Sequence, residues 1–290
     1  MSLAMTQPMA RRFLAVLEPI SAMIFFSPEA FEAYTALGLD GWSGYFCSRA
    51  APMGPVTPDV VVATFYNFSP HIVRPNVRWD LASPEQILEA RHEGARRTLT
   101  RVFAEGDGTP PGMSRAIELL REATAACRPE GRPLAAAHAR LPWPSHELLG
   151  VWHGATVLRE FRGDGHIAVL LAHQVGPVEA ILLHAGYVGG KLDFLKATRQ
   201  WDEAAIDAGI ARLVERGFMA PDRTPTDAGG KFRLMLEHET DRLAAAPFNA
   251  LGEDRCEELL GLLHPVAVRL LEVRAAPRAL GRMDPANLLA

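Results

Sequence analysis

Apolar residues along most of this chain recur every three or four positions, the period of a helix buried on one face. Phe13, Leu14, Leu17, Ile20 and Ile24 set that spacing over residues 10–24. Ser27-Pro28-Glu29 predicts the next helix start, with Ser as cap and Pro at the first position, and Gly38 its end. Residues 59–68 predict a third helix, although Val60-Val61-Val62 also fits a short strand. Ser83-Pro84-Glu85-Gln86 is a capping box, so a long helix is predicted over 84–103. Shorter helices follow over 114–127 and 133–141. Leu141-Pro142-Trp143-Pro144 then breaks the pattern, and the domain boundary is placed there.

The second half opens with a helix through Phe161. Arg162-Gly163-Asp164-Gly165 is expected to stop it, with a short helix over 166–174 beyond. Helices over 178–187 and 192–199 lead to one over 202–216. In that helix Ile206, Ile210, Leu213 and Val214 share the inward face and Gly217 ends it. Phe218 to Thr226 reads as a clipped hairpin, because Pro221 and Pro225 remove ladder donors. A long helix to about Ala245 follows, then one over 252–273 interrupted by Pro265. Helix, turn, helix, short wing, long helix is the order of a winged helix-turn-helix. The expected fold is therefore mainly α: a helical N-terminal domain over 1–144 and a winged helix-turn-helix domain with a minimal β-wing over 145–290.

Composition changes this picture little. Hydrophobic residues make up 48% and charged residues 22% of 290, which are globular values that fit two domains. Met23 to Phe26 reads as too short to span a membrane, and no cleavage-site pattern follows it. Cys47, Cys127 and Cys256 are odd in number and far apart, which favours a reducing cytoplasm over a disulfide framework. CxxC, HExxH, Walker A, GxSxG and GxGxxG are absent, so no cofactor or metal is expected. His166, His173 and His184 are spaced too widely to act as neighbouring metal ligands on one helix.

Charge changes it more. The net charge is −4, and all of it falls in the second half, which holds 16 basic and 20 acidic residues. Non-specific DNA affinity comes from cations that displace counterions. The predicted recognition helix starts with Asp202 and Glu203, and its outward positions are Ala204, Ala208, Ala211 and Glu215. Base readout uses Arg, Lys, Asn, Gln, Ser or Thr at such places. Arg212, with Arg199 and Arg223 nearby, supplies the DNA-contact candidates.

LVERGFM (213–219), Asp222-Arg223, Thr226-Asp227-Ala228-Gly229 and LGEDRCEELLGLL (251–263) resemble the MarR-type winged-helix regulators. That resemblance covers about half the chain. It implies a homodimer held by the C-terminal helices, a wing at the minor groove of double-stranded DNA, and a pocket for a small-molecule ligand. FYNFSP (65–70), LPWP (141–144), LREFRGDGH (158–166) and TRQW (198–201) resemble a two-domain helix-turn-helix family common in actinobacteria, across nearly the whole chain.

The densest polar cluster is His153, Glu160, Arg162, Asp164 and His166. It fits a salt-bridged helix corner in which Asp164 caps the next helix. It also fits a pocket for an anionic or hydrogen-bonding ligand, or an acid–base pair. Tyr66 and Asn67 lie among Trp42, Tyr45, Phe46, Phe65 and Phe68, as core packing or as the aromatic wall of such a pocket. The leading expectation is a ligand-responsive transcriptional regulator. The rival is a winged helix repurposed as a binding protein or enzyme of specialised metabolism, with its pocket between the domains. A protein-partner role through the acidic face is a third reading.

Overall fold

The computed structural model describes residues 8–104, 108–188 and 192–277. The first helices are α1 (Met9–Ala22), α2 (Pro28–Thr35), α3 (Gly41–Ala50), α4 (Pro58–Phe65) and α5 (Pro70–Val73). Then come α6 (Pro84–Ala104), α7 (Met113–Ala125), α8 (Pro133–Ala139) and α9 (Glu147–Ala172). The helix-turn-helix region holds α10 (Pro177–Val188), α11 (Leu192–Arg199), α12 (Glu203–Glu215) and α13 (Asp227–Leu243). The chain finishes with α14 (Ala246–Leu251) and α15 (Glu253–Glu272).

Several starts follow from local chemistry. Ser27 Oγ accepts the Ala30 N–H, and Pro28 occupies the first position of α2. At α6, Gln86 Oε1 accepts the Ser83 N–H at 2.9 Å while Ser83 Oγ accepts the Gln86 N–H at 3.4 Å, a closed capping box. Asp202 caps α12 through the Ala205 N–H at 2.7 Å.

Helix α9 is the axis of the molecule. It packs against α1, α6, α7, α8 and α13 and is buried on most of its circumference. It also corrects the expected break at Arg162 to Gly165, because it runs through that segment without interruption. The glycines here serve close approach. A Cβ on Gly165 would lie 2.6 Å from Arg132 Nη1, and one on Gly154 would lie 2.9 Å from Leu120 Cβ. Each glycine weakens a helix by about 1 kcal/mol relative to Ala, and burial of a 26-residue helix outweighs that.

The largest apolar cluster joins α1, α6, α7 and α9 to α14 and α15, with Phe13 and Phe248 stacked at 4.2 Å. This core therefore crosses position 144. Helix α15 is continuous through Pro265, contrary to the expected interruption, and turns Leu259, Leu260, Leu263, Val266 and Leu270 into the core of its own chain. A second cluster packs Val178 and Leu182 of α10 against Ile206, Ile210 and Leu213 of α12. A third gathers Phe46, Phe65, Phe68 and Ile72. Val60 to Val62 lie in α4, so the strand alternative does not hold.

Among the described residues there is no strand. The predicted wing contains one antiparallel bridge between Met219 and Pro225. Residues 9–35 are long and apolar enough in composition to cross a membrane, which corrects the shorter reading of that run. The fold buries 72% of its most apolar window.

Candidate functional site

Where α9 passes the ends of α4 and α11, the packing leaves a cavity of about 340 Å³. That is the volume of about eleven water molecules, at the lower end of the small-molecule range. Its walls come from Arg159 to Leu170 of α9, Phe65 to Phe68, Tyr45 and Arg49 of α3, Arg199, and Arg233 and Leu236 of α13.

The α4 wall has an unusual backbone. Tyr66 sits at φ 49°, ψ −64°, and the Asn67 N–H donates to the Phe65 carbonyl at 2.6 Å. This is close to the rare form of the γ-turn, which costs about 1–3 kcal/mol in a non-glycine residue. Three bonds hold it. The Tyr66 hydroxyl donates to the Val175 carbonyl at 2.6 Å, and Trp201 Nε1–H donates to the Asn67 carbonyl at 3.0 Å. The Ser69 N–H donates to the Arg199 carbonyl at 2.9 Å. The FYNFSP and TRQW segments, about 130 positions apart, are thereby latched together.

The floor is ionic. Glu160, 1% exposed, accepts from Arg49 Nε at 3.2 Å, Arg49 Nη2 at 2.9 Å and Arg159 Nη1 at 2.8 Å. Burial pushes its carboxyl up, but Arg49 and Arg159 overcome this and hold it far below the usual range. Arg159 also pairs with Glu18 at 3.0 Å. Arg162 donates to Glu237 and Asp241, each at 2.9 Å, and Arg233 pairs with Glu237.

Asp164, His166 and Arg199, which also line the cavity, have displaced pKa values as well. Burial raises the Asp164 carboxyl to about 6, against the pull of two backbone N–H donors. Burial lowers His166 to about 4, so the ring is neutral at pH 7, with Nδ1 bonded to Thr240 Oγ1 at 2.9 Å. The Arg199 guanidinium lies over the Phe68 ring at 4.2 Å, and burial lowers its pKa. Its Nε is buried without a hydrogen-bond partner.

Six of the seven residues predicted for a ligand line this cavity: Tyr66, Asn67, Glu160, Arg162, Asp164 and His166. His153 does not line it. It points along the same side of α9 as Glu160 but lies two turns, about 10 Å, away. It packs edge-on against Trp143 at 4.8 Å instead. Asp164 caps no following helix. Its Oδ2 accepts the N–H groups of Leu134 at 3.1 Å and Ala135 at 2.9 Å, capping α8 from the middle of α9. Sequence reasoning did not single out Arg49, whose partner Glu160 is 111 positions away, or Arg233, which pairs with Glu237 one helical turn on.

The predicted DNA contacts divide. Arg199 lines the cavity. Arg212 pairs with Glu179, and Arg223 pairs with Asp207 at 3.2 Å. On α12, Ala204, Ala208, Ala211 and Glu215 are exposed, as are Asp202, Glu203 and Asp207.

Against known proteins, residues 10–277 match the family model of a helix-turn-helix family. No curated protein and no solved structure matches the chain.

Proposed function

The chain belongs to that helix-turn-helix family, and from this premise we propose that it is a ligand-responsive, DNA-binding transcriptional regulator. One observation carries the reading. Three separated motifs, FYNFSP, LREFRGDGH and TRQW, supply walls of one cavity, and TRQW leads directly into the cap of α12. A ligand that binds one orientation of α11 and α12 better than another shifts the population toward it. Arg199 is the last residue of α11, and Trp201 precedes the Asp202 cap. These residues therefore transmit the bias to the helix that meets DNA.

In this reading the protein works in the cytoplasm as a MarR-like homodimer, with α12 of each copy in the major groove and the residue 218–226 turn at the minor groove. The alanines of α12 touch thymine methyls, and Arg212 and Arg223 exchange their carboxylate partners for phosphates. Specific affinity is then modest and strongly salt-dependent. A mobility-shift titration with promoter DNA from the gene's own neighbourhood tests this. A shift at about 50 mM salt that weakens steeply by about 200 mM supports the regulator. No shift at the lower salt eliminates it.

A second reading has its own support. The exposed acids Asp202, Glu203 and Asp207 stand where phosphates would approach α12. They favour a helix-turn-helix fold that has lost DNA binding and serves as a small-molecule-binding protein or enzyme of specialised metabolism. Ligand binding without any DNA shift selects it.

A further inference from the structure

Helices α7 and α15 open on the same residues. Gly112, Arg115, Glu118, Leu119 and Leu120 match Gly252, Arg255, Glu258, Leu259 and Leu260 in spacing and identity. Both glycines precede their helix in the left-handed region, at φ 81° and 78°. Burial keeps the register: Ala116, Leu119, Leu120 and Ala123 are buried in α7, and Cys256, Leu259, Leu260 and Leu263 in α15. The match extends upstream. Ser83 caps α6 and Thr226 caps α13, each by accepting the N–H three residues on. Three helices precede each of these caps, α2 to α4 in one half and α10 to α12 in the other, and both α2 and α10 begin with proline. Before these stand α1 and α9.

Packing follows the same exchange of halves. Helix α1 lies against α9, and α7 against α15. Helix α1 also lies against α15, as α9 does against α7. Swapping the halves leaves this set of neighbours unchanged, as a two-fold axis would. Arg115 reaches across to Glu258 at 2.9 Å, and Arg255 reaches back to Glu122 at 2.6 Å. The symmetry is not exact, since Glu118, the counterpart of Glu258, pairs with Arg115 of its own helix. The reading helices differ more. Helix α4 has 8 residues against 13 in α12, and its exposed Asp59, Val60 and Ala63 include no cation, amide or hydroxyl. Its end is tied to α11 by the Ser69 and Trp201 hydrogen bonds.

We propose that the chain is two helix-turn-helix units fused in one polypeptide, with the α7–α15 seam taking the place of a contact between two copies. One chain is then the acting unit, and it sets a single reading helix, α12, on one DNA half-site. The DNA part rests on the regulator reading above, and the N-terminal half replaces the second copy of that reading. The face of α15 that a partner copy would need is already covered by α1 and α7.

The test is light scattering and thermal melting of the full chain over a hundredfold range of concentration. The mass of one chain, 31.6 kDa, is expected throughout, with a melting midpoint independent of concentration. Twice that mass, or a midpoint that rises with concentration, overturns the proposal. Arg115→Glu with Arg255→Glu sets like charges across both seam pairs and should lower the midpoint by about 2–4 °C. Adding Glu122→Arg and Glu258→Arg to the same chain should restore most of it. Mixing the two double variants as separate chains should restore nothing. Restoration on mixing places the seam between chains and overturns the proposal, as does an unchanged midpoint in the first variant. If that variant proves unfolded by circular dichroism, wild-type mass and melting decide alone. On promoter DNA, a hydroxyl-radical footprint over one half-site is expected, and protection of two half-sites overturns the proposal. Absence of any DNA shift removes the regulator reading and leaves mass and melting to decide this one.

Discussion

Asp164 offers a direct measurement of how the cavity is built. Its carboxylate is 6% exposed and holds two N–H groups at the start of α8. Burial raises its pKa from 3.8 to about 6. Between those values the folded protein holds a proton that the unfolded chain has released. Stability contributed by this group therefore falls as pH rises from about 4 to about 6, and is flat above that. A shift of about two units corresponds to about 3 kcal/mol. Asp164→Asn retains an oxygen that accepts from Leu134 and Ala135 but cannot ionise. Relative to wild type, the variant should gain about 1.4 kcal/mol per pH unit across that window, reaching a plateau near 3 kcal/mol. Urea unfolding followed by far-ultraviolet circular dichroism at pH 4.5, 6.0 and 7.5 measures the difference. A difference that stays constant over the three pH values refutes the reasoning, and so does one that shrinks as pH rises.

Further perturbations probe the rest of the frame. His138, His153 and His166 are held neutral by burial, at about 3, 4 and 4. The unfolded chain takes up their protons first, so stability should fall as pH drops below 6.5 and continue falling toward 4. In thermal melts over that range, His166→Gln should reduce the slope by as much as 1.4 kcal/mol per pH unit. Glu160→Gln leaves Arg49 and Arg159 without their shared carboxylate and should lose about 3–5 kcal/mol in urea unfolding. A loss below about 1 kcal/mol would show that the cluster contributes little. Gly94→Ala places a Cβ 2.7 Å from the Ala30 backbone, whereas Gly261→Ala in α15 meets nothing within 4 Å. The first should destabilise by about 1–3 kcal/mol despite better helix propensity, and the second should stabilise by about 0.5–1 kcal/mol. Melting temperatures that move in the same direction for both would contradict the packing of α2 on α6.

Much of the helical layout was legible in the sequence, because caps and apolar periodicity act within about four residues. The Ser83–Gln86 box, the Ser27 cap and the Ile206, Ile210, Leu213 stripe all lie where the pattern puts them. Two breaks were misread for one reason. Gly163, Gly165 and Pro265 are local helix weakeners, and α9 and α15 continue through them because surrounding helices bury both. A short wing was expected at 218–226, and that segment forms only a single bridge between Met219 and Pro225.

The sequence by itself determined a mainly helical helix-turn-helix protein, the inward stripe and alanine face of α12, and most of the cavity-facing side of α9. These depend on spacing and side-chain chemistry along one element. Only the tertiary structure decided that Tyr66, Glu160 and Arg199 meet at one cavity, that Asp164 caps a helix 30 positions away, and that His153 stands apart. Those outcomes depend on how distant helices cross and on which buried charges find partners. An ion pair such as Arg49 with Glu160, 111 positions apart, has no local signature. It exists because burying either charge alone costs more than any local preference can offset.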